Sequence, residues 1–331
     1  MDIKDIPRVS LGFGPTPIER LNRLGNDLGI ELFVKRDDYT GFGGGGNKVR
    51  KLEFLMADAV ARGVKVLITT GGHQSNHARM TAAAARHFGM HPVLVLRGNA
   101  PDTFQGNLLL DKLFGAELEF LDPDAYFDQI NPRMQAHADK AREAGLEPYI
   151  MPVGGATPLG ALGYALAVRE LAAQFSQRGE RAPDYIVTAV GSGGTLAGLE
   201  IGLKQYWPDT RAIGVAVSGS AIPFPEKISG MANDGAKLID IDATWTPDDI
   251  RVEDAYVGEA YSIPSQDGNA AIKRLAMDEG LLLDPVYTGK GMAGLIDLAT
   301  RGSIEPGARV VFLHTGGSPA LFPHAELLSG L

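Results

Sequence analysis

Short β-branched runs alternate with longer helical patterns along most of this chain. Residues 64–70 read as a strand, 75–88 as an Ala-rich helix and 92–96 as the next strand. The rhythm continues with a helix over 104–113, a strand over 117–121, a helix over 133–144 and a strand over 148–151. A second βα unit opens with a strand over 184–190 and a helix after Gly194; a strand near 213–218 and a buried strand over 309–313 follow. Strands that are apolar without alternation need cover on both faces, so the pattern predicts an α/β fold of open, mostly parallel sheets flanked by helices. Rhythm alone puts a domain break near Gly154 and Gly155.

Composition changes this picture at one point, glycine. It supplies 42 of 331 residues, well above the usual share of about 7%, and shows no collagen-like period. Many glycines fall where a strand hands over to a helix: Gly43 to Gly46 before Asn47 and Lys48, Gly71 and Gly72 before His73, and Gly191, Gly193 and Gly194 around Ser192. A fourth group, Gly316 and Gly317, follows the last strand. Ligands in such sheets bind beyond the carboxyl ends of the strands, so these loops imply one shared site. The chain has no cysteine, which excludes a disulfide scaffold, a cysteine-ligated metal and a thiol catalyst. Its formal net charge of −9 argues against a nucleic-acid footprint. No run approaches the roughly 18 apolar residues of a membrane span, and Met1 to Asp5 lacks the apolar core of a secretory signal. A cytoplasmic protein with neither nucleic acid nor membrane as partner is expected. A 331-residue chain is expected to form two domains.

Amide N–H groups and the helix dipole make the loop Gly191, Ser192, Gly193, Gly194 and Thr195 a phosphate cradle, with a plain tight turn as the alternative. A dinucleotide fingerprint fails there, because Leu196 stands where its third glycine belongs. The run from Gly41 to Gly46 satisfies G-x-G-x-x-G only trivially, and Asn47 separates it from Lys48, so it is no Walker loop. A monophosphate fits better than NAD or ATP. A phosphorylated aldehyde would need an amine. At about 100° per residue, Lys48 shares a helix side with Leu52, Leu55, Met56, Ala59 and Val60, opposite Arg50, while Lys51 falls at the polar edge. An inward lysine against glycine backbone is the desolvated amine that condenses with carbonyls, though a structural lysine would share that geometry. Ser75 and Asn76 either hold a carboxylate at a helix start or merely cap it. His73 and His77 lack the glutamate of a zinc motif, and no G-x-S-x-G marks a hydrolase.

With these residues in place, a family resemblance enters. The segments KRDDYTGFGGGGNKVRKLEFLMADA (35–59), GGHQSNHARMTAAAA, AVGSGGTLAGL, LLLDPVYTGKGMAGL (281–295) and HTGGSPALF run in order over almost the whole chain. The chain resembles the fold type II pyridoxal-phosphate enzymes of the D-cysteine desulfhydrase and 1-aminocyclopropane-1-carboxylate (ACC) deaminase family, which also contains L-cysteate sulfo-lyase. That resemblance implies two sheets in a tryptophan synthase β-like arrangement, a large domain of 1–50 and 161–331, a small one of 51–160, and a homodimer. Lys48 then binds the cofactor aldehyde, Asn47 lies beside its ring hydroxyl, and Gly191, Ser192, Gly193, Gly194 and Thr195 hold its phosphate. Ser75, Asn76 and His77 hold the substrate carboxylate, with Ser75 also near the reacting carbons. Tyr287, otherwise a core aromatic, stands against the cofactor face with Thr288 and Thr315 nearby. ACC deaminases carry glutamate and leucine where this chain has Thr288 and Thr315, which places it with the desulfhydrases.

The glycine run exceeds the usual F-G-G-N-K, while His73, Ala156 and Thr157 depart from the family pattern and are expected to reshape the pocket. The implied activity is a pyridoxal-phosphate lyase eliminating the β-substituent of D-cysteine to give pyruvate, ammonia and hydrogen sulfide. L-cysteate sulfo-lyase, ACC deaminase, a nucleotide-dependent dehydrogenase and a cofactor-binding protein without turnover are the alternatives.

Overall fold

The computed structural model describes residues 3–219 and 223–329. Strand β1 (Ile18–Arg20), helix α1 (Asn22–Leu28) and strand β2 (Glu31–Arg36) lead through short turns and the glycine run to α2 (Lys48–Ala61). Next come β3 (Val66–Gly72), α3 (Asn76–His87), β4 (His91–Arg97), α4 (Asn107–Leu113), β5 (Glu117–Leu121), α5 (Tyr126–Glu143) and β6 (Pro148–Ile150). The remainder runs α6 (Pro158–Gln177), β7 (Tyr185–Val190), α7 (Gly194–Tyr206), β8 (Arg211–Ala216), α8 (Phe224–Leu238), β9 (Val252–Glu253), α9 (Gln266–Glu279), α10 (Thr288–Thr300), β10 (Arg309–His314) and α11 (Ala325–Ser329). Helix α5 starts seven residues before the expected 133 and runs through Pro132. The pattern gave no sign of β1, β2 or β9, whose residues mix charged and apolar positions.

Two sheets result, as the fold class requires. Six strands lie in the order β1-β2-β10-β7-β8-β9 and four in the order β5-β4-β3-β6. Every pairing is parallel except β1 with β2. Successive residues of the central strands enter different cores because side chains alternate across a strand. Val311 and Leu313 pack with α6, α7 and α8, whereas Val310 and Phe312 pack with α9 and α10. This is why 310–313 reads as continuous apolar sequence.

Helices α6 and α7 cross at backbone contact. A Cβ on Gly198 would overlap the Ala161 carbonyl oxygen, and one on Gly202 would sit 2.7 Å from Val168 Cβ. Gly198→Val is expected to destabilise the protein by about 1–3 kcal/mol through overpacking, read as a lower denaturant midpoint with an unchanged slope. A wild-type midpoint would show that the helices can part freely.

A buried polar cluster fastens the end of β2 to α2 and α6. Arg50 donates to both Asp37 oxygens at 2.8 Å and to Glu170, Tyr164 donates to Asp37 at 2.6 Å, and Lys35 pairs with Glu170. Arg50, expected on the solvated side of its helix, is instead held at 12% side-chain exposure by these carboxylates. Among the described residues no helix is long and apolar enough to cross a membrane.

Candidate active site

The strand-to-helix loops converge on a cavity of about 380 Å³ between the two sheets. The glycine run leads directly into Asn47 and Lys48, which line the cavity. Gly43, Gly44, Gly45 and Gly46 all take positive φ, from 57° to 128°, a region L side chains rarely enter. The chain is thereby turned so that the Asn47 amide donates to Thr315 O at 3.0 Å and Asn47 Nδ2 donates to Thr195 Oγ1 at 3.1 Å. Lys48 follows as the first residue of α2, and its Nζ donates to Asn47 Oδ1 at 3.0 Å. Burial, then the like charge of Arg79, brings the Lys48 amine down to about 8, with Asp284 opposing. An amine so placed is partly unprotonated near neutral pH.

Lys51 corrects one expectation. It has no polar edge to occupy, because α6 and the loop at Gly154 cover that side of α2; the residue is 1% exposed and donates to Gly154 O at 3.3 Å. Val60, placed on the apolar stripe, is 45% exposed. Leu52, Leu55, Met56 and Ala59 are buried as expected, and what separates the lysines is that Lys48 opens to the cavity and Lys51 does not.

Two helix N-termini face the same space. Ser75 is the N-cap of α3, its Oγ accepting from the Ala78 amide at 3.2 Å, and it also lines the cavity, so both readings of it hold geometrically. The first-turn amides of Asn76 and His77 precede any intrahelical acceptor. His77 brings no free ring nitrogen, because Nε2 meets Thr69 Oγ1 at 2.8 Å and Nδ1 meets Thr81 Oγ1 at 3.4 Å. At α7, Gly193 is a left-handed N-cap, and Gly191, Ser192, Gly193 and Thr195 line the cavity. Gly194 stands behind, where a Cβ would approach Ala156 and Lys51 Nζ.

Tyr287 closes one wall and shares a 2.5 Å hydrogen bond with Tyr261, a residue that sequence reasoning missed. Tyr261 belongs to a segment without regular structure between β9 and α9, so no periodicity marked it. Burial pushes Tyr287 well above the ordinary phenol range and Tyr261 up to about 12, so both keep their protons at neutral pH. Asp284, also missed, is fully buried and accepts from the Val286, Tyr287 and Thr288 amides at 2.9 Å, which fixes the turn presenting Tyr287.

Thr288 does not line the cavity as expected; its hydroxyl is engaged with Asp284 at 2.7 Å. Thr315 does line it. The three family departures lie outside the lining: His73 packs edge-on to Phe120 at 5.6 Å, and Thr157 caps α6 beside Ala156. Arg97, Tyr126 and the exposed Phe127 border the cavity, and the sequence had not singled them out.

The donor set fits a phosphorylated aldehyde. The Lys48 amine suits the aldehyde, the α7 amides suit the phosphate, and the Tyr287 phenol and α3 amides leave room for an amino acid between them. Fold and site thus define a lysine-dependent enzyme of the α/β type. Residues 9–316 match the family described as pyridoxal-phosphate dependent enzymes, and the chain belongs to that family. It is 44% identical to a D-cysteine desulfhydrase of Klebsiella pneumoniae over 96% of each chain. Its identity to a D-cysteine desulfhydrase of Serratia proteamaculans is 42%, over 97% of each. A crystal structure of an ACC deaminase homologue superposes with a TM-score of 0.90 at 38% identity, covering 99% of this chain and 97% of that one. A threonine deaminase isoform from Solanum lycopersicum, 19% identical with a TM-score of 0.68 over 99% of this chain and 86% of that one, shares the fold.

Proposed function

We propose that this enzyme eliminates sulfide from D-cysteine, as a carbon-sulfur lyase giving pyruvate, ammonia and hydrogen sulfide. One observation carries the reading: one cavity of about 380 Å³ sets the Lys48 amine, the α3 and α7 N-termini and the Tyr261–Tyr287 pair around the same space. The names and full-length identity of the curated relatives support the substrate. When bound, pyridoxal phosphate supplies an electron-accepting ring that stabilises charge at the substrate Cα.

The α7 first-turn amides hold the phosphate, and those of Asn76 and His77 hold the substrate carboxylate. Lys48 Nζ takes the Cα proton as the Cβ–S bond breaks and the sulfur leaves with its electron pair. Tyr287 Oη, protonated and backed by Tyr261, donates a proton toward the departing sulfur. Ser75 Oγ, already accepting from Ala78, has its hydrogen free for the substrate. Water then hydrolyses the released enamine to pyruvate and ammonia. Thr315 offers no acid to this reaction, which suits a thiolate leaving group better than a strained carbon ring.

Purified holoenzyme should release sulfide and pyruvate in equal amounts from D-cysteine, faster than sulfite from L-cysteate or 2-oxobutanoate from ACC. Sulfite as the dominant product would reassign the substrate to L-cysteate. Membership of the two sheets supports the division into 1–50 with 161–331 and 51–160. We also propose a cytoplasmic homodimer, in line with the prevalence of symmetric oligomers.

A further inference from the structure

Part of the glycine run packs against α3, at Gly43, Gly44 and Gly46. A Cβ on Gly43 would stand 3.0 Å from Ala83 Cβ, one on Gly44 would stand 2.8 Å from Arg79 Nη1, and one on Gly46 would stand 3.3 Å from Met80 Sδ. Arg79 is fully buried, and its Nη2 donates to Gly45 O at 2.7 Å while Nη1 reaches Gly44 O at 3.4 Å. The positive φ values of the run turn these carbonyls toward the guanidinium.

Arg79 sits one helical turn after Ser75 and Asn76. A single side chain therefore joins the segment that delivers Asn47 and Lys48 to the helix that receives the substrate. We propose that Arg79 is a positioning residue for Lys48, its guanidinium fastening the glycine run to α3 and so setting the amine's place relative to Ser75 and Asn76. This rests on Lys48 being the reacting amine.

The charge of Arg79 adds to its geometry. Asp111 on α4 faces it, but the described residues include no ion pair between them, and neither Asp111 oxygen has a hydrogen-bond partner there. Burial holds the Asp111 carboxyl well above the usual range, with the Arg79 charge opposing. The groups around Lys48 are Arg79 and His77 from α3, Lys51 from its own helix, and Asp284 and Tyr287 from the segment before α10. Among them Arg79 is the cation that disfavours protonation of Lys48 most.

Two variants separate the roles. Arg79→Lys keeps the charge and loses the two-pronged hold. In apoprotein its amides over 43–48 should exchange with solvent at least about tenfold faster, and in holoenzyme kcat should fall by about ten- to a hundredfold through misplacement of the amine. Its kcat, which reports the substrate complex in which the Lys48 amine is free, should rise with pH as the wild type does. Arg79→Met loses hold and charge together, so its rise should also move to higher pH, because the Lys48 amine then protonates more readily. Wild-type exchange over 43–48 in Arg79→Lys overturns the proposal whatever happens to Arg79→Met, as does wild-type kcat. Failure of the Lys48 assignment would be distinct: turnover surviving Lys48→Ala leaves the exchange result untouched.

Discussion

Lys48→Ala is expected to lower kcat/KM by about a thousandfold or more, because one amine both holds the cofactor and moves the Cα proton. The variant should lose the visible absorption of lysine-bound cofactor while keeping its fold, since among the described residues the Nζ makes a single hydrogen bond, to Asn47 Oδ1. Lys51 lies three residues on but cannot substitute, because it does not line the cavity, its buried amine donates to Gly154 O, and burial pushes it well below the ordinary lysine range. A coloured, active Lys48→Ala protein would sink the assignment of the reacting lysine. A free amine such as methylamine, small enough to enter the space left by the side chain, should restore part of the turnover, since proton transfer needs an amine of suitable pKa more than it needs a tether.

The largest effect on stability is expected at Asp37→Ala. That carboxylate has no exposed surface and takes both prongs of Arg50 together with the hydroxyls of Thr16 and Tyr164. Its removal leaves Arg50 with the Glu170 carboxylate and the Thr16 hydroxyl, at a cost of about 3–5 kcal/mol, the range for breaking a buried pair. The pH dependence follows from opposing causes. Burial pushes the Asp37 carboxyl up, but the charge and hydrogen bonds of Arg50, with Lys35 and Tyr164, bring it down to about 2. A folded-state pKa below the unfolded one contributes stability that is complete above the unfolded value, about 3.9, and is lost as pH falls toward the folded one. Denaturation of the wild type and the variant should therefore differ by a constant amount at neutral pH. Between about pH 4 and 2 the gap should shrink. A gap that widens on acidification would show that Asp37 is already protonated in the folded protein.

Much of the fold was legible in the sequence because both faces of both sheets are covered. Full burial makes stretches such as 92–96 and 310–313 read as unbroken apolar runs, and the structure places strands there almost residue for residue. The edge of the large sheet was not legible, since β1 and β9 are two or three residues long and carry charge. Helix α2 shows the limit of periodicity: the packing of α6 and the Gly154 loop buries Lys51, and carboxylates draw in Arg50 on the less buried side, neither of which the pattern reveals. Site residues on strand-to-helix loops announced themselves through glycine. Tyr261 and Asp284 gave no such signal, because a tyrosine in an irregular segment and an acid before a turn are common on any surface, and only the fold brings them to Tyr287.

The position of β10 has a consequence for how the molecule comes into being. This strand, near the C-terminal end of the chain, lies between β2 and β7, with Arg309 opposite Glu31 and Val310 opposite Tyr185. During synthesis β2 emerges early, yet its parallel neighbour is made only after most of the chain has left the ribosome. Until then β2 and β7 each present a bare hydrogen-bonding edge, the kind of surface that recruits foreign strands. The four-stranded sheet has no such wait, since all its strands fall between 66 and 150. Nascent chains should thus carry a finished small sheet beside an unfinished large one. A ribosome stalled before residue 309 would hold a protein that chaperones recognise and that lacks the Thr315 carbonyl on which Asn47 closes the active site.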